Sequence, residues 1–171
     1  MHRKAGTVDR DAAHRLDLAG HRRRNGVVPW IAYHGEDGRA RLLAAAEAAG
    51  LPVAAELRVA RWRVPAVVAD PLGHPALLTL SPHLVLDGLQ LAAHAVGARE
   101  AVVRLPADDR ALPSVAAALT ERADRVPVRV RPDEVTAALV CDTGTLAQLA
   151  LAVLLGPHHY RAARTDFVAA G

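Results

Sequence analysis

The stretch from Ser81 to Leu105, SPHLVLDGLQLAAHAVGAREAVVRL, reads as a helix followed by a strand. Ser81 stands where an N-cap belongs, and Pro82 occupies the first helical position, where a missing N–H costs nothing. Val85, Leu89, Ala92 and Val96 recur at helical spacing and form one apolar face. Gly88 lets a neighbouring element come close, and Gly97 supplies the left-handed residue that ends the helix. Glu100 to Leu105 is then a strand.

The same alternation extends outward. Upstream, Arg63 to Ala69 is a short buried strand closed by Asp70, Pro71 and Gly73; downstream, Asp109 to Ala123 is a helix and Val126 to Val130 a third strand. Strand, helix, strand, helix, strand with short links predicts a parallel sheet with right-handed crossovers, flanked by helices. Thr143 to Leu155 is a further helix, Pro157 to Ala163 a short one, and Thr165 to Ala170 an extended stub. Before the sheet, Asp37 to Ala49 is a helix stopped by Gly50 and Pro52, and Asp9 to His21 is a polar helix that runs into Arg22, Arg23 and Arg24 and breaks at Asn25 and Gly26. Residues 1–8 read as a flexible tail and residues 9–171 as a single α/β domain.

Composition bounds the possibilities. Of 171 residues, 51% are hydrophobic and 23% charged, enough for a real core without covalent staples. The single cysteine, Cys141, excludes a disulfide framework and any all-cysteine metal or cluster site within the chain. Net charge is +3, with acids and bases interspersed, so no stripe tracks a phosphate backbone and nucleic-acid binding is not expected. No apolar run is long enough to span a bilayer, and the start of the chain lacks the apolar core of a signal peptide. A cytoplasmic protein without membrane insertion is expected.

The chemistry-bearing residues do not assemble into a recognised reaction centre. There is no Walker loop and no GxGxxG after a strand; the turn ADPLGHP after the first strand has two prolines, which lack the N–H groups of a phosphate cradle. His14, Asp17 and His21 share a helical face, as do His83, Asp87 and His94 opposite the apolar stripe of their helix; both sets read as solvated polar faces, as does the pair His158 and His159. Ser81 and Ser114 lack a nucleophile's surroundings. Cys141 reads as a small buried thiol. The acid pairs Asp108/Asp109 and Asp133/Glu134 fall in turns. No catalytic residue and no metal site is expected.

A resemblance supplies what chemistry does not. Ser81 to Leu105 resembles the flavoprotein subunit of bacterial NADH:quinone oxidoreductase, in which a PHL…G…AA.AVGA helix precedes a strand. Leu16 to Trp30 (LDLAGHRRRNGVVPW), Leu42 to Leu51 (LLAAAEAAGL), Arg63 to Ala69 and Val140 to Ala162 (VCDTGTLAQLALAVLLGPHHYRA) are similar to segments of that family in the same order. The resemblance implies a truncated Rossmann-like flavoprotein domain that takes hydride from NADH onto FMN and passes electrons to iron–sulfur clusters.

The departures from that pattern fall on the ligand positions. The family's GRGGAGFP loop would follow Leu51, where PVAAELRVARW stands without a glycine. Its Asn-and-acid run is shortened to DPLGHPALLTL, its GEES-type turn is missing, its asparagine pair is replaced by Cys141 and Asp142, and its cysteine-rich domain is absent. A cofactor-free accessory or docking subunit of a redox system is therefore expected. The alternative is an active electron-transfer subunit holding FMN through Arg58, Arg61, Asp70, Asp142 and Thr145; a nucleic-acid module built on Arg22 to Arg24 is a second. The helix Thr143 to Leu155 carries more apolar surface than one face needs, so Leu151, Leu154 and Leu155 are expected to meet a protein partner: a redox or iron–sulfur protein, or a second copy.

Overall fold

A computed structural model describes the backbone of residues 15–169 and the side chains of 15–163. The expected tail, His14 and the first part of the helix expected over Asp9 to His21 lie outside the described residues. Four parallel strands form one sheet in the order β3-β2-β1-β4: β1 Ala66–Asp70, β2 Glu100–Arg104, β3 Val128–Arg131 and β4 Ala138–Asp142. The three strands expected from the sequence pair in parallel as anticipated, each trimmed or shifted by a few residues.

Helix α5, Pro82–Val96, connects β1 to β2 and lies at the centre of the molecule. Its C-terminus closes as the sequence requires: Gly97 takes φ 73°, the Ala98 N–H donates to the Ala93 carbonyl and the Gly97 N–H to that of His94. Ser81 holds the N-cap position without a side-chain hydrogen bond, a correction to its expected capping role. Val85, Leu89, Ala92 and Val96 are fully buried, but so are His83, Leu86 and Ala93 on other faces. The reason is that α5 has neighbours all round: the sheet beneath it, α7 (Thr143–Leu155) alongside, and α2 (Gly35–Ala48) and α3 (Val53–Ala60) beyond. Gly88 makes the α5–α7 contact possible, because a Cβ there would fall inside the backbone of Leu146.

Elsewhere the boundaries shift for identifiable reasons. Helix α1 is Leu18–Asn25, capped by the Asp17 carboxylate accepting from the Gly20 N–H at 2.7 Å, so the basic run forms its last turn rather than a linker. Helix α6 is Leu112–Glu121, and α4, Ala76–Leu80, is an extra turn within the stretch left as loop. PVAAELRVARW folds as α3, with Val53, Ala54, Leu57 and Ala60 buried. Helix α8 runs Pro157–Ala169, which overturns the extended stub expected from Thr165.

Strand β4 was not anticipated, because no helix separates it from β3. The link 132–137 passes two strands and returns to the opposite end of the sheet in six residues, bending at 132–133 and turning at 136–137. The helix-bearing face is filled by α5 and α7, so the link crosses the other face, where strand alternation puts the buried Val68 and Val102. Ala137, at φ 54°, lies in the turn that leads into β4.

Gly88→Ala should destabilise the protein by about 1–3 kcal/mol in urea unfolding, although alanine is the better helix former by about 1 kcal/mol. Leu89→Ala, which leaves a void under the same helix, should cost about 2–5 kcal/mol.

Candidate functional site

In an open parallel sheet the chain reverses its direction of travel beside β1, between β1 and β4, and ligands favour the carboxyl ends of the strands at such a point. Asp70 ends β1 and Asp142 ends β4, side by side in register on the same face. Asp70 is buried, paired with Arg104 and accepting from the Leu72 N–H at 3.0 Å. Asp142 is also the N-cap of α7: one carboxylate oxygen accepts from the Thr145 N–H and the other from the Thr145 hydroxyl, both at 2.8 Å. The turn after β1 folds over the same helix start, with the Thr143 hydroxyl donating to the His74 carbonyl and the His74 ring against Gly144. A cavity of about 190 Å³ opens between this helix start and the α2–α3 corner, lined by Leu51, Glu56, Cys141, Asp142 and Thr145 among others. Its floor is the segment at which the resemblance puts the flavin loop.

The donor set does not fit a flavin phosphate. The Thr145 N–H and hydroxyl at the start of α7 already donate to the Asp142 carboxylate, Glu56 adds a second negative charge, and no lysine or arginine lines the cavity. Its volume is below the roughly 300–1,000 Å³ usual for small-molecule sites. Of the five residues named for FMN, Asp142 and Thr145 meet here and Asp70 lies one strand away. Arg58 pairs instead with Glu47, and Arg61 with Glu36. Leu151 and Leu154 are half-buried against the core, while Leu155 is 45% exposed.

Burial pushes the Cys141 thiol up to about 12, with the Glu56 and Asp142 charges adding to the effect. The folded protein should therefore react with a disulfide reagent at pH 8 far more slowly than the urea-unfolded chain. Equal rates would place the thiol in solvent.

A second constellation, missed by the sequence reading, lies where α1 and the end of α6 meet α5. Two of the histidines expected on solvated faces are buried instead: His21 at 2% exposure and His83 at 0%. His21 Nε2 lies 2.7 Å from Asp87, and its Nδ1 3.1 Å from the Asn25 amide. His83 Nε2 donates to Glu121 at 3.0 Å, and its Nδ1 accepts from Arg122 at 3.2 Å. The two rings stack at 5.9 Å, and Arg122 also bridges Asp87 and Asp124. Arg15 and the Leu18 N–H complete the surroundings of Glu121. Gln90, on the same helix, trades two hydrogen bonds with the backbone of Val126. His94 bonds the Tyr33 carbonyl at 2.6 Å and meets the edge of Trp30. The error has one cause: an amphipathic reading gives a helix one wet face, and α5 has none.

Elsewhere, Asp17 caps α1, Ser114 donates to the Thr79 carbonyl, and His158 and His159 are exposed. Asp108, Asp133 and Glu134 are exposed in turns. No group of three or more His, Cys, Asp or Glu among the described residues is placed to hold a metal ion, and no helix among them is long and apolar enough to cross a membrane.

The pH dependence of stability follows from this cluster. Burial lowers the His83 pKa below 6.5 against the pull of Glu121, and Arg122 lowers it further. The Arg15 hydrogen bond outweighs burial and holds Glu121 at about 2 instead of 4.5. In both cases the unfolded chain binds the proton more readily, so the stability these two groups contribute is fully present above pH 6.5 and falls with acid. Denaturant titrations should show a first loss below pH 6.5, reduced in His83→Asn, and a second between 4.5 and about 2, reduced in Glu121→Gln.

No protein-family profile matches the chain, and no curated protein matches it. Solved structures do. A chain of an NAD+-reducing [NiFe]-hydrogenase in its air-oxidised state aligns with a TM-score of 0.62 and 19% identity over 85% of this chain. One in the H2-reduced state aligns with a TM-score of 0.55 and 22% identity over 71%. The likeness is one of fold. The alignments cover 36% and 31% of the hydrogenase chains, so this chain corresponds to about a third of their length.

Proposed function

We propose that this chain is a cofactor-free relative of a flavoprotein domain that serves as an accessory or docking subunit of a cytoplasmic redox system. One observation carries the reading: the helix start at the strand reversal is closed by the chain's own carboxylate, with Glu56 rather than a cation facing it. A phosphate there would displace Asp142 from two hydrogen bonds and meet a second acid, so the place where such a fold holds an anion is built to repel one. The packing around it is intact, from the Gly88 contact to the reciprocal bonds of Gln90. The fold's neighbours belong to an NAD+-reducing hydrogenase, which supports a place within a multi-protein redox assembly and a partner that is itself a redox or iron–sulfur protein.

The test is a fluorescence titration of the full chain with FMN, and separately with NADH. The expected outcome is no saturable binding of either up to about 1 mM, an affinity limit near 4 kcal/mol. Saturable FMN binding abolished by Thr145→Val would establish the electron-transfer subunit in its place.

A further inference from the structure

The basic run Arg22 to Arg24 ends α1 at the edge of a groove, which Arg22 lines. A cavity of about 130 Å³ lies between the end of α1, the turn 26–30 and the segment 122–125, with Asp87 and Gln90 of α5 at its base. Inside it the charges are matched: Arg122 is held by Asp87 and Asp124. At its rim they are not. Arg22 and Arg125 line the groove, Arg23 and Arg24 extend the charge along α1, and among the described residues no carboxylate pairs with any of the four. Arg125 lies over the Trp30 ring at 5.1 Å, which holds its guanidinium at the rim. Beside them Val27 is 62% and Ile31 90% exposed, large apolar side chains with no cover among the described residues. The C-terminal dipole of α1 accounts for cations in its last turn, but not for Arg125 or for bare Val27 and Ile31.

We propose that this groove docks a carboxylate-bearing segment of a protein partner, its acids meeting Arg22, Arg23, Arg24 and Arg125 and an apolar side chain covering Val27 and Ile31. The proposal deepens the docking reading and rests on it. The cavity is the size of a side chain and below that of a cofactor, so the occupant belongs to a larger molecule. Charge complementarity selects an acidic one, since four cations with no carboxylate partner among the described residues favour a partner's carboxylates. A nucleic acid would need an open ring on which to stack, and Arg125 already lies over the Trp30 ring.

The experiment is selection of random-sequence displayed peptides on the immobilised full chain, followed by anisotropy titration of the synthetic consensus peptide. Enriched peptides should carry two or more Asp or Glu beside a Leu, Ile or Phe. Consensus affinity should fall about tenfold in Arg22→Glu/Arg125→Glu and again as salt rises from about 0.05 to 0.3 M. All substituted residues are exposed, and Arg22→Ala with Arg24→Ala, checked by urea unfolding, provides a milder pair that should lower affinity in the same direction. Enrichment of neutral or basic peptides, no enrichment, or a consensus insensitive to both pairs overturns the proposal. So does tighter binding of a single-stranded DNA of about 20 nucleotides through the same arginines. Failure here with no flavin binding leaves the cofactor-free reading standing. Flavin binding alongside acidic-peptide capture removes that reading and keeps the groove.

Discussion

Everything in this fold depends on a helix that has no wet side. Helix α5 lies on the sheet, presses against the backbone of α7 through Gly88, and is covered by α2 and α3. A helix so enclosed gains the burial of Val85, Leu86, Leu89, Leu91 and Val96, each worth roughly 1.5–3 kcal/mol relative to exposure. The same enclosure means that every polar group it carries must find a protein partner, since an unmatched buried one costs about 1–3 kcal/mol. His83, Asp87, Gln90 and His94 are those groups, and each has a partner from a different part of the chain: Glu121 and Arg122, His21, the Val126 backbone, and Tyr33.

The polar cluster is thereby a fastening. Arg15, His21 and the Leu18 N–H bring α1 to α5 and α6, while Gln90 sets the chain entering β3. These contacts join residues 35 to 106 positions apart, which the hydrophobic pattern alone would not register. Such networks gain little net energy over an apolar packing of the same volume; what they supply is a unique arrangement, because a shifted α1 would strand the His21 imidazole and take the Arg15 and Leu18 donors from Glu121.

Legibility in the sequence followed locality. The β1–α5–β2 unit and α7 could be read because their signals, Pro82, Gly97 and the apolar periodicity, lie within the elements they define. Strand β4 could not, since its only warrant is the length of a link that crosses the sheet, and a polar stretch such as RPDEVTA resembles any loop. Helix α3 rests on the helix formers of PVAAELRVARW, a signal as local as that of α5, but the resemblance sets a glycine loop at this place. At the candidate site, Asp142 and Thr145 follow from the resemblance, and the bonds between them are seen only in the structure. Glu56 was not readable, because it reaches the cavity from a helix about ninety positions away. The histidines failed for the converse reason: helical spacing gives a residue's face but not how many faces are covered.

The acidic cavity and the basic groove lie on different parts of the molecule and draw on different elements. The first is made where β4 turns directly into α7, and its chemistry is decided by Asp142, which the strand-to-helix junction needs as a cap. With no loop between strand and helix, there is no length of glycine-bearing chain to move aside for a ligand, so the cap and the anion compete for the same N–H groups. The second is made where α1 ends, and its unmatched arginines carry no part of the fastening that holds α1 in place; that work falls to His21 and Arg15. Charge left over after the fold's own polar needs are met can serve recognition without loosening the fold. On this surface it lies beside the apolar side chains that a partner would cover.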